Sequence, residues 1–189
     1  MGTPIGSPLG SLISEVFMSK FESDLFSSGH LSLDHVYYWH RYVDDVLCMW
    51  SGPQVLLSEF LDYLNDQYPS INFTLEVGGP SINFLNLTIS IERGGGHEFG
   101  IYRKATSTDT TIHGSSFCPW SRKLATFNNL VHRLTHIPLC ESGFHNELKT
   151  IQHLARVNDI NLDIGSMVRK KLIRKSLDLT TSLPRELRI

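Results

Sequence analysis

The chain has 189 residues, 41% of them hydrophobic, 19% charged and 10% aromatic, which is enough apolar mass for one ordinary folded domain or two small ones. No run approaches eighteen consecutive apolar residues, excluding a hydrophobic membrane-spanning helix, and the Gly/Pro/Ser-rich opening has neither the basic nor the apolar region of a secretory leader. The formal charge of −2 conceals an asymmetry: residues 1–100 carry 3 Lys/Arg against 12 Asp/Glu, a balance of −9, whereas residues 101–189 carry 14 against 7, a balance of +7. Two parts with different partners are expected, the second partner being polyanionic. Cys48, Cys118 and Cys140 are odd in number and widely spaced, as in a reducing compartment.

In chain order, Gly2 to Gly10 is a loop dictated by Gly and Pro, with Ser7 as a helix N-cap and Pro8 as the first helical residue. Leu12, Ile13, Val16, Phe17, Phe21 and Leu25 then fall on one stripe and predict a helix to about Phe26, ended by Gly29. The β-branched and aromatic runs Val36–Tyr42 and Val46–Trp50 predict a hairpin with Val43-Asp44-Asp45 at its tip. Val55, Leu56, Phe60, Leu61 and Leu64 predict a second helix. Alternation at Ile71, Phe73, Leu75 and Val77, again at Leu85, Leu87, Ile89 and Ile91, and a short run Phe99–Tyr102 predict a three-stranded meander turning at Gly78-Gly79-Pro80 and Gly94-Gly95-Gly96. After a Thr/Ser-rich stretch through Ser116 the period becomes helical. One helix runs from Trp120 to Pro138, one over Phe144–Ala155, and one over Ile164–Leu172 beyond a turn at Val157-Asn158-Asp159. The boundary is expected near residue 105, where the charge changes.

Adjacent aspartates in a tight turn repel unless a cation neutralises them, and a divalent ion with oxygen ligands answers that repulsion. Phosphoryl transfer uses such an arrangement to bridge substrate phosphates. Asp-Asp by itself is a weak signal, more often no more than a solvated hairpin tip. More specific is the ordered set: Gly2-Thr3-Pro4-Ile5-Gly6-Ser7-Pro8-Leu9 opening a helix, Tyr42-Val43-Asp44-Asp45 on a hairpin, Ile71-Asn72-Phe73-Thr74 with Phe84-Leu85-Asn86-Leu87, and Ile101-Tyr102-Arg103-Lys104-Ala105-Thr106-Ser107-Thr108-Asp109. Over nearly the whole chain this set resembles reverse transcriptases, and among them the Penelope-like retroelements. The last run is similar to their Tyr-Arg-Lys-Pro-Thr-x-Thr-Asp, with Ala105 where Pro is usual.

The resemblance implies that Asp44 is the ligand positioning a catalytic Mg²⁺, with Asp45 a secondary ligand, and that Tyr42 lies under the incoming nucleotide or primer terminus. It implies that Gly6, Ser7 and Pro8 let the backbone approach template and nucleotide, and that 71–74 and 84–87 are paired strands, the second near the primer grip. The implied partners are an RNA template, a DNA primer and deoxynucleoside triphosphates. The family's palm also carries a third aspartate on a strand before the Gly-Pro-Ser loop, and basic fingers. Residues 1–189 supply neither, Asp24 and Asp34 being poor substitutes between loop and hairpin. The expectation is therefore a C-terminal part of a polymerase, inert without its N-terminal portion.

Arg169, Lys170, Lys171, Arg174 and Lys175 cluster on the last helix, with Arg103, Lys104, Arg122 and Lys123 earlier. Such cations neutralise phosphates and release counterions, so binding weakens with salt. Two helices of roughly thirteen residues joined around Asn158 permit a helix-turn-helix reading, and the resemblance equates the region with a thumb gripping the template-primer backbone. His132, His136 and Cys140 share a spacing of four but are interrupted by Pro138, and no Glu follows His132 as in zinc proteases.

The sequence thus predicts an α+β fold with a partial reverse-transcriptase palm in 1–104 and a helical thumb or helix-turn-helix-like nucleic-acid-binding module in 105–189. In the complete protein the activity is RNA-directed DNA synthesis by two-metal nucleotidyl transfer to a primer 3′-hydroxyl. The alternatives are a non-catalytic nucleic-acid-binding module and a decayed retrotransposon remnant. The expected location is intracellular, in the nucleus, with no membrane partner.

Overall fold

A computed structural model describes residues 6–92 and 94–182, with side chains to residue 177. The fold is α+β. Among the described residues there are five α-helices, a two-stranded and a three-stranded antiparallel sheet, and a single 3₁₀ turn at Leu31–His35. The chain divides into two compact units, Met1–Val77 and Gly78–Ile189. The division comes earlier than the charge change near residue 105, because the three-stranded sheet is tied to the helices that follow it.

In the first unit, α1 (Gly10–Ser27) leads through the 3₁₀ turn to β1 (Val36–Tyr42) and β2 (Asp45–Trp50), followed by α2 (Gln54–Gln67). Ser7 and Pro8 do not cap α1 as expected. The helix starts at Gly10, its N-cap is Leu9 without a side-chain bond, and the Ser7 hydroxyl accepts from Leu9 N at 3.4 Å. Gly29, at φ 67°, takes the left-handed conformation that lets the chain leave the helix cheaply. Phe21 and Leu25 of α1 meet Phe60 and Leu64 of α2 in a buried cluster, with Trp39 and Trp50 of the hairpin packed against it. Each of these four side chains contributes about 1.5–3 kcal/mol by leaving water. The predicted stripe is only half used. Leu12, Ile13 and Val16 are 60%, 48% and 63% exposed, since the apolar side chains of α2 and the hairpin cover Phe21 and Leu25 but not these three.

The segment 71–77 departs further from expectation. It is in no ladder, and it is not paired with 84–87. Its alternation still sets the two faces, because Ile71 and Phe73 pack on the first core while Leu75 and Val77 are exposed. Asn65 of α2 holds it, accepting from Phe73 N at 2.6 Å and donating to Phe73 O at 3.2 Å.

In the second unit, β3 (Ser81–Phe84), β4 (Leu87–Ile91) and β5 (His97–Ile101) form the meander. Its first strand is not 71–77 but β3, because the chain turns at Leu85-Asn86, between paired Phe84 and Leu87. Leu85 sits at φ 55°, and the apolar alternation runs through this turn and masks it. The glycine turn stands as predicted: Gly95 is at φ 80°, and Glu92 N donates to Gly96 O at 2.9 Å.

Helices α3 (Trp120–His136), α4 (Glu141–Val157) and α5 (Ile164–Ser182) lie where the period places them, although α4 and α5 have 17 and 19 residues rather than about thirteen. Phe127, Val131 and Leu134 interlock with Ile151, Leu154, Ala155, Ile164 and Val168 as one core. Phe99 bridges to Leu139, and Arg103 pairs with Glu147 of α4, which fastens the sheet to the helices.

The Thr/Ser-rich stretch is anchored by Asn158, which is buried. Its amide accepts from Thr111 N at 2.7 Å and donates to Asp109 O at 2.7 Å and Leu154 O at 2.8 Å, and its backbone carbonyl accepts from Gly114 N at 2.7 Å. Gly114 is needed for this approach, since a Cβ there would lie 1.8 Å from Asp159 O.

Candidate functional site

The strands β1 and β2 pair in register from Tyr42↔Asp45 inward, leaving Val43 and Asp44 as the two central residues of the turn. Val43 has φ 57°, a region a β-branched side chain occupies at a cost of order 1–2 kcal/mol. The cost is sustained by what surrounds it. Tyr42, Val43, Asp44 and Asp45 are all exposed at the tip. No cation of the described structure pairs with Asp44 or Asp45. Two hard oxygen donors adjacent in the chain are therefore exposed at the tip, a donor type suited to Mg²⁺. Among the described residues no third His, Cys, Asp or Glu joins them as a metal-holding group. Asp24 is engaged by Lys20 at 2.5 Å.

The tip is fastened from behind by a residue that sequence reasoning overlooked. Arg41, 7% exposed, donates from Nε to Glu22 Oε1 at 2.9 Å and from Nη2 to Glu15 Oε1 at 2.9 Å. It also donates from Nη1 to Val43 O at 3.4 Å. Trp39 Nε1 donates to the same Glu22 oxygen at 3.0 Å. The hydrogen bond from Arg41 holds the Glu15 carboxyl below its usual range, and the two carboxylates raise Arg41. The available signal was the seven-residue spacing of Glu15 and Glu22, two turns along one helix face, in a unit with so few cations.

Of the loop preceding α1, residues 2–5 lie outside the described residues. Gly6 has φ 89° and open space around its missing Cβ, so glycine serves a left-handed turn there and not a close packing contact. Ser7 is half-buried and Pro8 is exposed.

The nine cations expected to meet a nucleic-acid backbone are not equivalent. Arg122, Lys104, Arg169, Lys170 and Arg174 are exposed. Lys171 is half-buried, and so is Lys175, whose ammonium donates to Thr135 O at 2.8 Å at the carbonyl end of α3. Arg103 is committed to Glu147 by two bonds of 2.6 and 2.5 Å, which raise its pKa. Lys123 is a correction: it is 6% exposed, and its ammonium donates to Gly114 O at 2.5 Å and Ser116 O at 2.9 Å. Such a lysine holds a loop and has no free donor face for a phosphate.

His132 and His136 lie with ring centroids 3.8 Å apart and planes tilted by 42°, while Cys140 caps α4, its Sγ accepting from Gly143 N at 3.4 Å. The trio is split between two helices as Pro138 implied. No described helix is long and apolar enough to cross a membrane.

No protein-family model, curated protein or solved structure matches the chain.

Proposed function

We propose that this chain is part of an RNA-directed DNA polymerase of the Penelope-like reverse-transcriptase family, with Asp44 and Asp45 at the catalytic end of the palm. One observation carries the reading: an exposed aspartate pair, without a protein cation, on a strained turn that a buried arginine fastens to the preceding helix. Structural turns relax to glycine or asparagine at such a position, and strain of this kind collects at functional sites. The order helix, Tyr-x-Asp-Asp hairpin, helix supports the same reading, as does the small sheet joined to a three-helix unit with exposed cations.

In this reading Asp44 and Asp45 would hold Mg²⁺, which would supply stabilisation of the negative charge that develops in phosphoryl transfer. The chain's own contribution is placement. Arg41 orients the tip through Glu22, Tyr42 offers a ring beside it, and Arg169, Lys170 and Arg174 of α5 supply sequence-independent attraction to a phosphate backbone.

The test uses Mn²⁺ as a paramagnetic substitute and an RNA–DNA duplex as ligand. Mn²⁺ is expected to broaden amide signals around Asp44 and Asp45, and Asp44→Asn to remove the broadening. The duplex is expected to bind with affinity that falls steeply with salt. Broadening centred elsewhere, or unchanged in Asp44→Asn, would refute the polymerase reading. Because α5 carries its exposed cations in a separate unit, a second reading is a non-catalytic nucleic-acid-binding helical module. It is favoured if duplex binding survives without any metal at the tip and is lost in Lys170→Glu/Arg174→Glu.

A further inference from the structure

We propose that the cavity of about 420 Å³ between the 104–111 segment and α3 is a binding site for a phosphate group. The site lies wholly in the second unit and does not involve Asp44 or Asp45. Its volume is that of a small-ligand pocket and exceeds a bare phosphate, leaving room for an attached ribose or base. Arg133 and Lys104 bring charge to its lining, and Thr106, Ser107, Thr108 and Thr111 bring hydroxyls.

The charges there do not balance. Glu147 is held bidentately by Arg103 and its field also acts favourably on Arg133, while Asp109 acts on Arg103, so with Lys104 three cations face two carboxylates. Arg133 makes one long hydrogen bond, from Nη2 to Asn86 O at 3.3 Å, leaving most of its five donors open. Lys104 is exposed and has no acidic partner among the described residues. Asp109, the acid of the lining, faces His153 at 3.6 Å. Burial and the neighbouring Arg103 push Arg133 below its ordinary pKa, as befits a cation short of a counter-charge.

A polar orphan accompanies this excess. Thr111 lines the cavity, and its buried Oγ1 has no hydrogen-bond partner. A phosphate answers the charge excess, since it brings negative charge and acceptors in several directions, matched by guanidinium, ammonium and hydroxyl donors. A carboxylate, planar and singly charged, would leave part of this donor set unused.

The test titrates the 189-residue protein with inorganic phosphate at constant ionic strength, without metal or duplex, following amide signals by NMR. Short single strands with and without a 5′-phosphate form the other arms. Saturable shifts at Lys104–Thr111 and Arg133 are expected, weakened at least about tenfold in Arg133→Gln and in the surface variant Lys104→Gln. If the 5′-phosphorylated strand binds more tightly than inorganic phosphate, the source is a strand end. If the two are equal, it is free phosphate. No saturation by about 10 mM phosphate, or equal affinity in both folded variants, would overturn the site. Neither failure touches Asp44 and Asp45, which the experiment does not probe.

Discussion

Arg41 Nε donates to Glu22 Oε1 at 2.9 Å, so a strand and a helix nineteen residues apart in sequence are locked by one charged contact directly beside the hairpin tip. The Arg41 side chain is 7% exposed, and Trp39 shares the same acceptor. Replacing Arg41 by Met leaves Glu22, four-fifths buried, without its cation. Arg41→Met is expected to cost about 1–3 kcal/mol in urea unfolding and to broaden the signals of Tyr42 to Asp45. Unchanged stability would show that the contact does not hold the tip.

Val43 provides the converse case. Its left-handed backbone is unfavourable for a β-branched residue and unremarkable for glycine. Val43→Gly is expected to stabilise the protein by about 1 kcal/mol, the relief of strain exceeding the extra chain entropy. A loss of stability in chemical denaturation would mean that the exposed valine side chain contributes packing outweighing its strain.

Lys123 separates structural from binding cations. Lys123→Met keeps the stem but leaves Gly114 O and Ser116 O without their shared donor, at an expected cost of about 1–3 kcal/mol. Affinity of the folded variant for an RNA–DNA duplex should match the parent, and so should its salt dependence. Arg174→Gln, at an exposed position of α5, should do the opposite: little change in unfolding, and a shallower salt slope of binding.

His132 is expected to make the second unit sensitive to acid. Burial, then His136 and Lys171, lower its pKa below the ordinary histidine value. The folded state therefore binds that proton less readily than the unfolded chain. Its penalty is absent well above pH 6.5 and grows as pH falls through 6.5 to the lowered value, below which it is complete. The melting temperature should drop between pH 7.5 and 5, more at low salt than at high because salt screens the repulsion from His136 and Lys171. His132→Gln should flatten that dependence. An identical pH profile in the variant would assign the acid sensitivity to other groups.

What the sequence determined by itself was local. Helices α3, α4 and α5 follow from a 3.6-residue apolar period that no nearby pattern contradicts, and the hairpin tip from two β-branched and aromatic runs around Val43-Asp44-Asp45. Those signals need only neighbouring residues. The tertiary structure decided which faces are used, and that depends on partners far along the chain. Leu12 and Val16 continue the stripe of Phe21 and Leu25, but α2 and the hairpin cover only the latter pair. Ile71 to Val77 alternates like a strand, but alternation sets side-chain faces and a ladder requires a partner, which Ser81–Phe84 takes in β4. Lys123 reads as one more surface cation until Gly114 and Ser116 close over it. Arg41 is one cation in an acidic half until Glu15 and Glu22 converge on it, because a charge is worth most where distant chain segments together exclude water.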